Sequence, residues 1–126
     1  RGTGMFMPAA KFGLHYYPGG LRRFVAVVGL ANAKRIFLTA QTLRAEEMLR
    51  IGFLTELVTR AKLDAKVAEY VAAIEECEPA VIKSMKRQLN ALAAGDNAEG
   101  SSREAYEASL GSKELRRRLT ALAKKS

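Results

Sequence analysis

Cysteine and histidine each occur once in the chain, and tryptophan not at all. A lone Cys77 excludes an internal disulfide, and one cysteine with one histidine is too few for a Cys/His metal site. Cys77 precedes Glu78-Pro79 near the expected end of a helix, where a small packing residue fits better than a reactive thiol. A reducing cytoplasm is the natural setting for such a chain. Proline (three residues) and glycine (ten) are too scarce for a linker or a collagen-like strand. Charge-free runs such as Phe24 to Ala33 reach only about half of the roughly 20 residues a membrane-spanning helix needs. No signal-peptide pattern is visible, and the first residue is Arg1, which fits a processed start or a piece of something longer.

The 126 residues suit one domain or part of one. The net charge of +8 suggests a polyanion as partner: nucleic acid, an anionic membrane surface or a phosphorylated ligand. The cations are spread, however, over Arg22–Arg23, Lys34–Arg35, Lys83–Arg87, Arg116–Arg118 and Lys124–Lys125. Such spacing describes solvated helix faces better than one binding patch. No nucleic-acid motif accompanies them, so neither nucleic acid nor membrane is expected as a partner.

Helical periodicity dominates after the first twenty residues. "LRRFVAVVG" reads as a helix from about Leu21 to a left-handed Gly29, and "ANAKRIFLTA" as a second. "RAEEMLRIG" places Glu46 and Glu47 in a first turn, where acids favour the helix dipole, and ends at Gly52. "FLTELV" (Phe53–Val58) predicts a short strand. Leu63, Val67, Tyr70, Val71 and Ile74 then share one helix face; Pro79 opens a helix carrying Ile82, Met85, Leu89 and Leu92. "GDNAEGSS" (Gly95–Ser102) reads as a loop, Ser101 and Glu104 as a capping box, and Leu115, Leu119 and Leu122 as the stripe of a last, basic helix. The fold class is therefore mainly α with one or two short strands. The apolar faces need cover, either from one another, from a sheet, or from a partner subunit.

The chemistry concentrates in "MPAAKFGLHYYPGGLRRF" (Met7–Phe24), which holds the only histidine, two tyrosines and a Gly-Gly pair. Gly19 and Gly20 are expected to turn the chain sharply into the following helix, whose free N–H groups suit an anion or a polarised carbonyl.

These pieces also occur in a recognisable order. Pro8 and Gly13, Gly19–Gly20, Arg23, Val28–Gly29, Leu38–Thr39, Ala45–Glu46–Glu47 and Gly52 fall, without a gap, at the spacing of the enoyl-CoA hydratase/isomerase (crotonase) superfamily. The chain resembles the second half of that family from about Met5 to Gly95. The resemblance implies the C-terminal part of an α/β crotonase-like spiral fold. Residues 1–60 would end the spiral core, and residues 61–126 would form the C-terminal helical region used for packing and oligomerisation. It implies an acyl-CoA substrate with no separate cofactor, coenzyme A being part of the substrate. The expected partners are a missing N-terminal half or further copies in a homo-oligomer. It further implies that the oxyanion-hole segments belong to the half not seen here, and that Ala9 stands where hydratases carry a catalytic glutamate.

The same comparison puts Tyr17 where other members place an alternative acid or nucleophile, flanked by Tyr16 and by His15, a base near neutral pH. Tyr17 and His15 are thus the catalytic candidates, and Tyr16, Gly19 and Gly20 the substrate-binding ones. The alternative is that the rings simply line an apolar acyl pocket. Lys124 and Lys125 are candidates for the phosphates of coenzyme A.

Overall fold

The computed structural model describes residues 2–96 and 99–125. Among the described residues seven helices and two very short strands follow in the order β1 (Gly4–Met5), α1 (Pro18–Val28), α2 (Leu30–Thr39), β2 (Leu43–Arg44), α3 (Ala45–Arg50), α4 (Arg60–Glu75), α5 (Pro79–Ala93), α6 (Glu99–Leu110) and α7 (Lys113–Lys125). A 3-10 turn, Ala9–Phe12, lies between β1 and α1. Two compact units divide the chain, Arg1–Lys66 and Val67–Ser126.

The first unit has a real core. Val28, Ala33, Ile36, Leu43, Ala45, Met48 and Ile51 are buried together, with Met5, Met7, Phe24, Phe37, Leu54 and Leu57 packed around them. Val28, Ala33, Ile36, Ala45 and Met48 are inward residues of α1, α2 and α3, at helical spacing, and Leu43 comes from β2. β1 and β2 close the cluster as an antiparallel pair, Gly4 opposite Arg44 and Met5 opposite Leu43, extended by Ala45 N–H donating to Thr3 O at 3.1 Å. Gly29 caps α1 and opens α2 at φ 82° and ψ 165°. This is not the left-handed helical conformation expected from sequence but an extended region open essentially to glycine alone. With one such residue the chain reverses between two helices. Ala40 ends α2 at φ +50°, the one described non-glycine residue with positive φ.

The second unit differs. No described residue of it is buried. Leu63 and Val67, Tyr70, Val71 and Ile74 of α4 are exposed, as are Met85, Leu89 and Leu92 of α5 and Leu119 and Leu122 of α7. The stripes form as predicted, but the helices do not bury them. Glu78 caps α5 by accepting from Ala80 N–H at 3.3 Å, with Pro79 at the first helical position. Arg118 Nη1 donates to Glu76 O at 2.6 Å, placing a cation on a carbonyl just beyond α4, where the helix dipole is negative.

Four expectations need correction. Phe53–Val58 forms no strand: the segment meets no partner edge, and a strand cannot exist without one. The helix expected from Leu21 begins at Pro18. Ser101 lies inside α6 rather than capping it, because α6 already starts at Glu99; the predicted loop is helical from there, while its residues 97 and 98 lie outside the described residues. Cys77 is exposed instead of packed, its thiol directed at Ala73 O.

Candidate active site

The segment between β1 and α1 is folded by its own backbone. Pro8 O accepts from Lys11 N–H (2.9 Å), and Ala9 O accepts from Leu14 N–H (3.0 Å), with Gly13 in the left-handed conformation between them. Ala9 is buried at 8% exposure. The position thus holds a methyl group in an enclosed place, with nothing to ionise. No aspartate or glutamate precedes Glu46 in the sequence. Its neighbour Glu47 is engaged: Arg50 binds it through Nε (2.7 Å) and Nη2 (2.5 Å), and Arg35 through Nη1 (2.5 Å). The Arg50 hydrogen bonds first, then that of Arg35, hold the Glu47 carboxyl down at about 2. An anion so strongly committed is a structural clamp between α2 and α3, not a proton carrier.

Within Met7–Phe24 the groups available for proton chemistry are the imidazole and the two phenols. His15 is exposed, and its Nδ1–H donates to Tyr16 O at 2.8 Å. A carbonyl can only accept, so Nδ1 is the donor in this bond, and in the neutral ring Nε2 is then the acceptor. Tyr17 is the residue before α1, with an extended backbone, and is 54% exposed; Tyr16 is half-buried. Their ring centroids lie 4.7 Å apart. Tyr16 then touches Phe37 (5.1 Å) and Phe24 (6.3 Å), Phe24 meets Phe37 edge-on (4.9 Å), and Phe53 stacks on Phe24 (6.0 Å). The tyrosine pair is therefore the outer end of an aromatic row that runs into the core of the first unit. Partial burial pushes the Tyr16 phenol above its ordinary range, and a hydrogen bond with Tyr17 adds to this, against a smaller opposing effect of Arg23.

The structure brings His15, Tyr16, Tyr17, Gly19 and Gly20 into one loop-to-helix junction. It changes the role expected of the glycines. Both lie within the first turn of α1, neither has positive φ, and the turn into the helix is made by Tyr17. Gly20 and Leu21 N–H both donate to Tyr17 O, at 3.1 and 3.2 Å, so these two donors are spent inside the turn rather than offered to an anion. Lys124 and Lys125 belong to the second unit, in the last turn of α7, where cations complement the helix dipole. That helix is strongly basic, with Glu114 held by Arg117 and Arg118 at 2.6 Å each and its carboxyl lowered to about 2 by those bonds.

Phe24, Phe37 and Phe53 are not expected at the site from sequence. They carry the tyrosines, and the signal was present: Phe24 and Phe37 sit on the inward stripes of α1 and α2. Among the described residues no group of three or more His, Cys, Asp or Glu is placed to hold a metal, and no helix is long and apolar enough to cross a membrane.

Comparison with known proteins agrees with this layout. The model of the family described as enoyl-CoA hydratase/isomerase matches residues 4–117. The short-chain-enoyl-CoA hydratase of Clostridium acetobutylicum is 33% identical over 72 residues, 57% of this chain and 28% of that protein. A probable enoyl-CoA hydratase of Mycobacterium tuberculosis is 31% identical over 108 residues, 86% of this chain and 43% of that protein. Among solved structures, a member of the enoyl-CoA hydratase/isomerase family superposes with a TM-score of 0.79 at 28% identity, covering 98% of this chain and 47% of that one. A putative family protein from Hyphomonas neptunium superposes at 0.80 and 22% identity, a likeness of fold, covering 98% and 48%. The chain thus spans less than half the length of the relatives it matches. With a family match over nearly its whole length, the chain belongs to the enoyl-CoA hydratase/isomerase family.

Proposed function

We propose that this chain is the C-terminal portion of a crotonase-type acyl-CoA enzyme, and that it completes a thioester-enolate site with a strand-rich N-terminal half. Residues 1–60 act as the end of the spiral core, and residues 61–126 as the helical region used for packing and oligomerisation. The observation that carries the reading is the absence of any buried residue among the described part of the second unit. Four amphipathic helices with open apolar faces have the form of one layer of a larger body, and the family relatives are about twice as long.

In such a body, two backbone N–H groups from the first half hold the thioester oxygen as the enolate develops; preorganised donors of that kind are worth about 3–4 kcal/mol each. This chain supplies the facing side. Tyr17 donates a proton or a hydrogen bond, and His15, with Nε2 free to accept, serves as base. Tyr16, Gly19 and Gly20 border the acyl group, and Lys124 and Lys125 meet the phosphates of coenzyme A. With a buried methyl at Ala9 in place of a carboxylate, the paired-carboxylate route to adding water is closed. Isomerisation, hydrolysis or another enolate reaction fits better than hydration. No further cofactor is required by this chemistry.

The experiment is an assay of the chain alone with crotonyl-CoA. Hydration at the uncatalysed rate is expected, because the oxyanion donors and both carboxylates are lacking. Turnover clearly above that rate would overturn the proposal. A second reading, a non-catalytic module that self-associates or binds a partner, is favoured by the same open faces of α4 and α5.

A further inference from the structure

We propose that Gly20 is a positioning residue, whose missing side chain allows Tyr16 and Tyr17 to pair over the start of α1 with Tyr17 as the outer phenol. A Cβ at Gly20 would lie 2.8 Å from Tyr17 Cζ and 2.9 Å from Cε1, and closer still to Tyr16 Cε1. Real Cβ atoms do not approach carbon that closely, so one or both rings would have to leave. Tyr16 is wedged against Phe37 and Phe24, and Tyr17, 54% exposed, would have to swing off it into solvent, which breaks the pair. Gly20 is itself buried, and what buries it is this pair of rings.

The neighbouring glycine provides the internal contrast. A Cβ at Gly19 would come no nearer than 3.6 Å to Tyr17, an ordinary van der Waals contact. The two glycines share a helix turn, and neither is required by its φ, so only Gly20 is demanded by what lies above it.

The pair has an inner and an outer member. Tyr16 is half-buried, and burial above all raises its phenol. Tyr17 is 54% exposed and is the phenol placed to meet a further acceptor. Tyr16 and Gly20 act through it. This deepens the reading of Tyr17 as the site's proton donor and rests on it, but the test needs no acyl-CoA and so can fail or succeed separately from the activity assay.

The test compares Gly20→Ala, Gly19→Ala and Tyr17→Ala in the full chain by near-ultraviolet circular dichroism at neutral pH and by phenolate absorbance on raising the pH. In the parent, a tyrosine is expected to ionise above the range of a free phenol. Gly20→Ala is expected to lose that late component and the near-ultraviolet signal of the packed pair, with its helical far-ultraviolet spectrum kept. Gly19→Ala should retain both. Tyr17→Ala takes away the ring packed on Tyr16, and should move the late component back toward a free phenol; it decides the matter if Gly20→Ala does not fold. The proposal is overturned if Gly20→Ala matches the parent, if both glycine variants change alike, or if Tyr17→Ala leaves the late component in place.

Discussion

Replacing Ile36 by alanine tests the energetic division of the chain into a cored unit and an open one. Ile36 is 2% exposed, the most fully buried large side chain described, and it lies among Val28, Leu43 and Met48. Truncation to alanine removes three carbon groups, about 2.4 kcal/mol of transfer free energy at ~0.8 kcal/mol each. The cavity left in so small a cluster adds to this and brings the expected loss to about 3–4 kcal/mol. A unit of this size has a total stability of roughly 3–10 kcal/mol, so the first unit should lose much or all of its cooperativity. Leu89→Ala in α5 provides the contrast. Leu89 is 66% exposed, and its truncation should cost no more than about 0.5 kcal/mol in the isolated chain. Urea unfolding followed by the aromatic signal reports the first unit, and far-ultraviolet circular dichroism reports all helices. Equal losses for Ile36→Ala and Leu89→Ala, measured at low protein concentration, would refute the assignment of the core.

Two further outcomes follow from the same geometry. Ala40 holds φ +50° while only 4% exposed; Ala40→Gly should change stability by less than about 1 kcal/mol, relief of the left-handed strain offsetting the lost methyl, whereas a β-branched valine there should cost at least about 2 kcal/mol by the same unfolding assay. Glu47 and Glu114 ionise in the folded chain at about 2, against 4.5 for a free group. Their contribution is therefore complete above about pH 4.5 and is lost as the pH falls toward 2, so melting temperature should drop through that window, less steeply in Glu47→Gln, and the difference should shrink in high salt.

Sequence carried much of this structure, and where it fell short the reason is non-local contact. Helices α1 to α5 were legible because their apolar residues repeat at helical spacing, and Gly29, Gly52 and Gly95, at their ends, all take positive φ. Phe53–Val58 was misread because alternation only makes a strand possible; a partner edge makes it real. Conversely, Gly4–Met5 is too short to show any period and exists because Leu43–Arg44, some forty residues on, lies beside it. Ser101–Glu104 has the form of a capping box, but a helix start is fixed by the residues before it as much as by the motif. Cys77 is expected to pack because of its small size and its place near a helix end, but position along a helix does not say whether a neighbour covers it, and it is exposed. His15, Tyr16, Tyr17, Gly19 and Gly20 are neighbours by sequence alone, and the reason for Gly20 was out of reach. A glycine forced by two rings overhead looks, in one dimension, the same as a glycine forced by a turn.

The central claim is that the helices of residues 67–125 are a layer without its counterpart. Sedimentation equilibrium of the purified chain across a wide concentration range tests it most directly. The account predicts concentration-dependent association that Val67→Glu with Ile74→Glu suppresses while helix content is retained. A monomer at every concentration, fully helical and indifferent to those two charges, would contradict it.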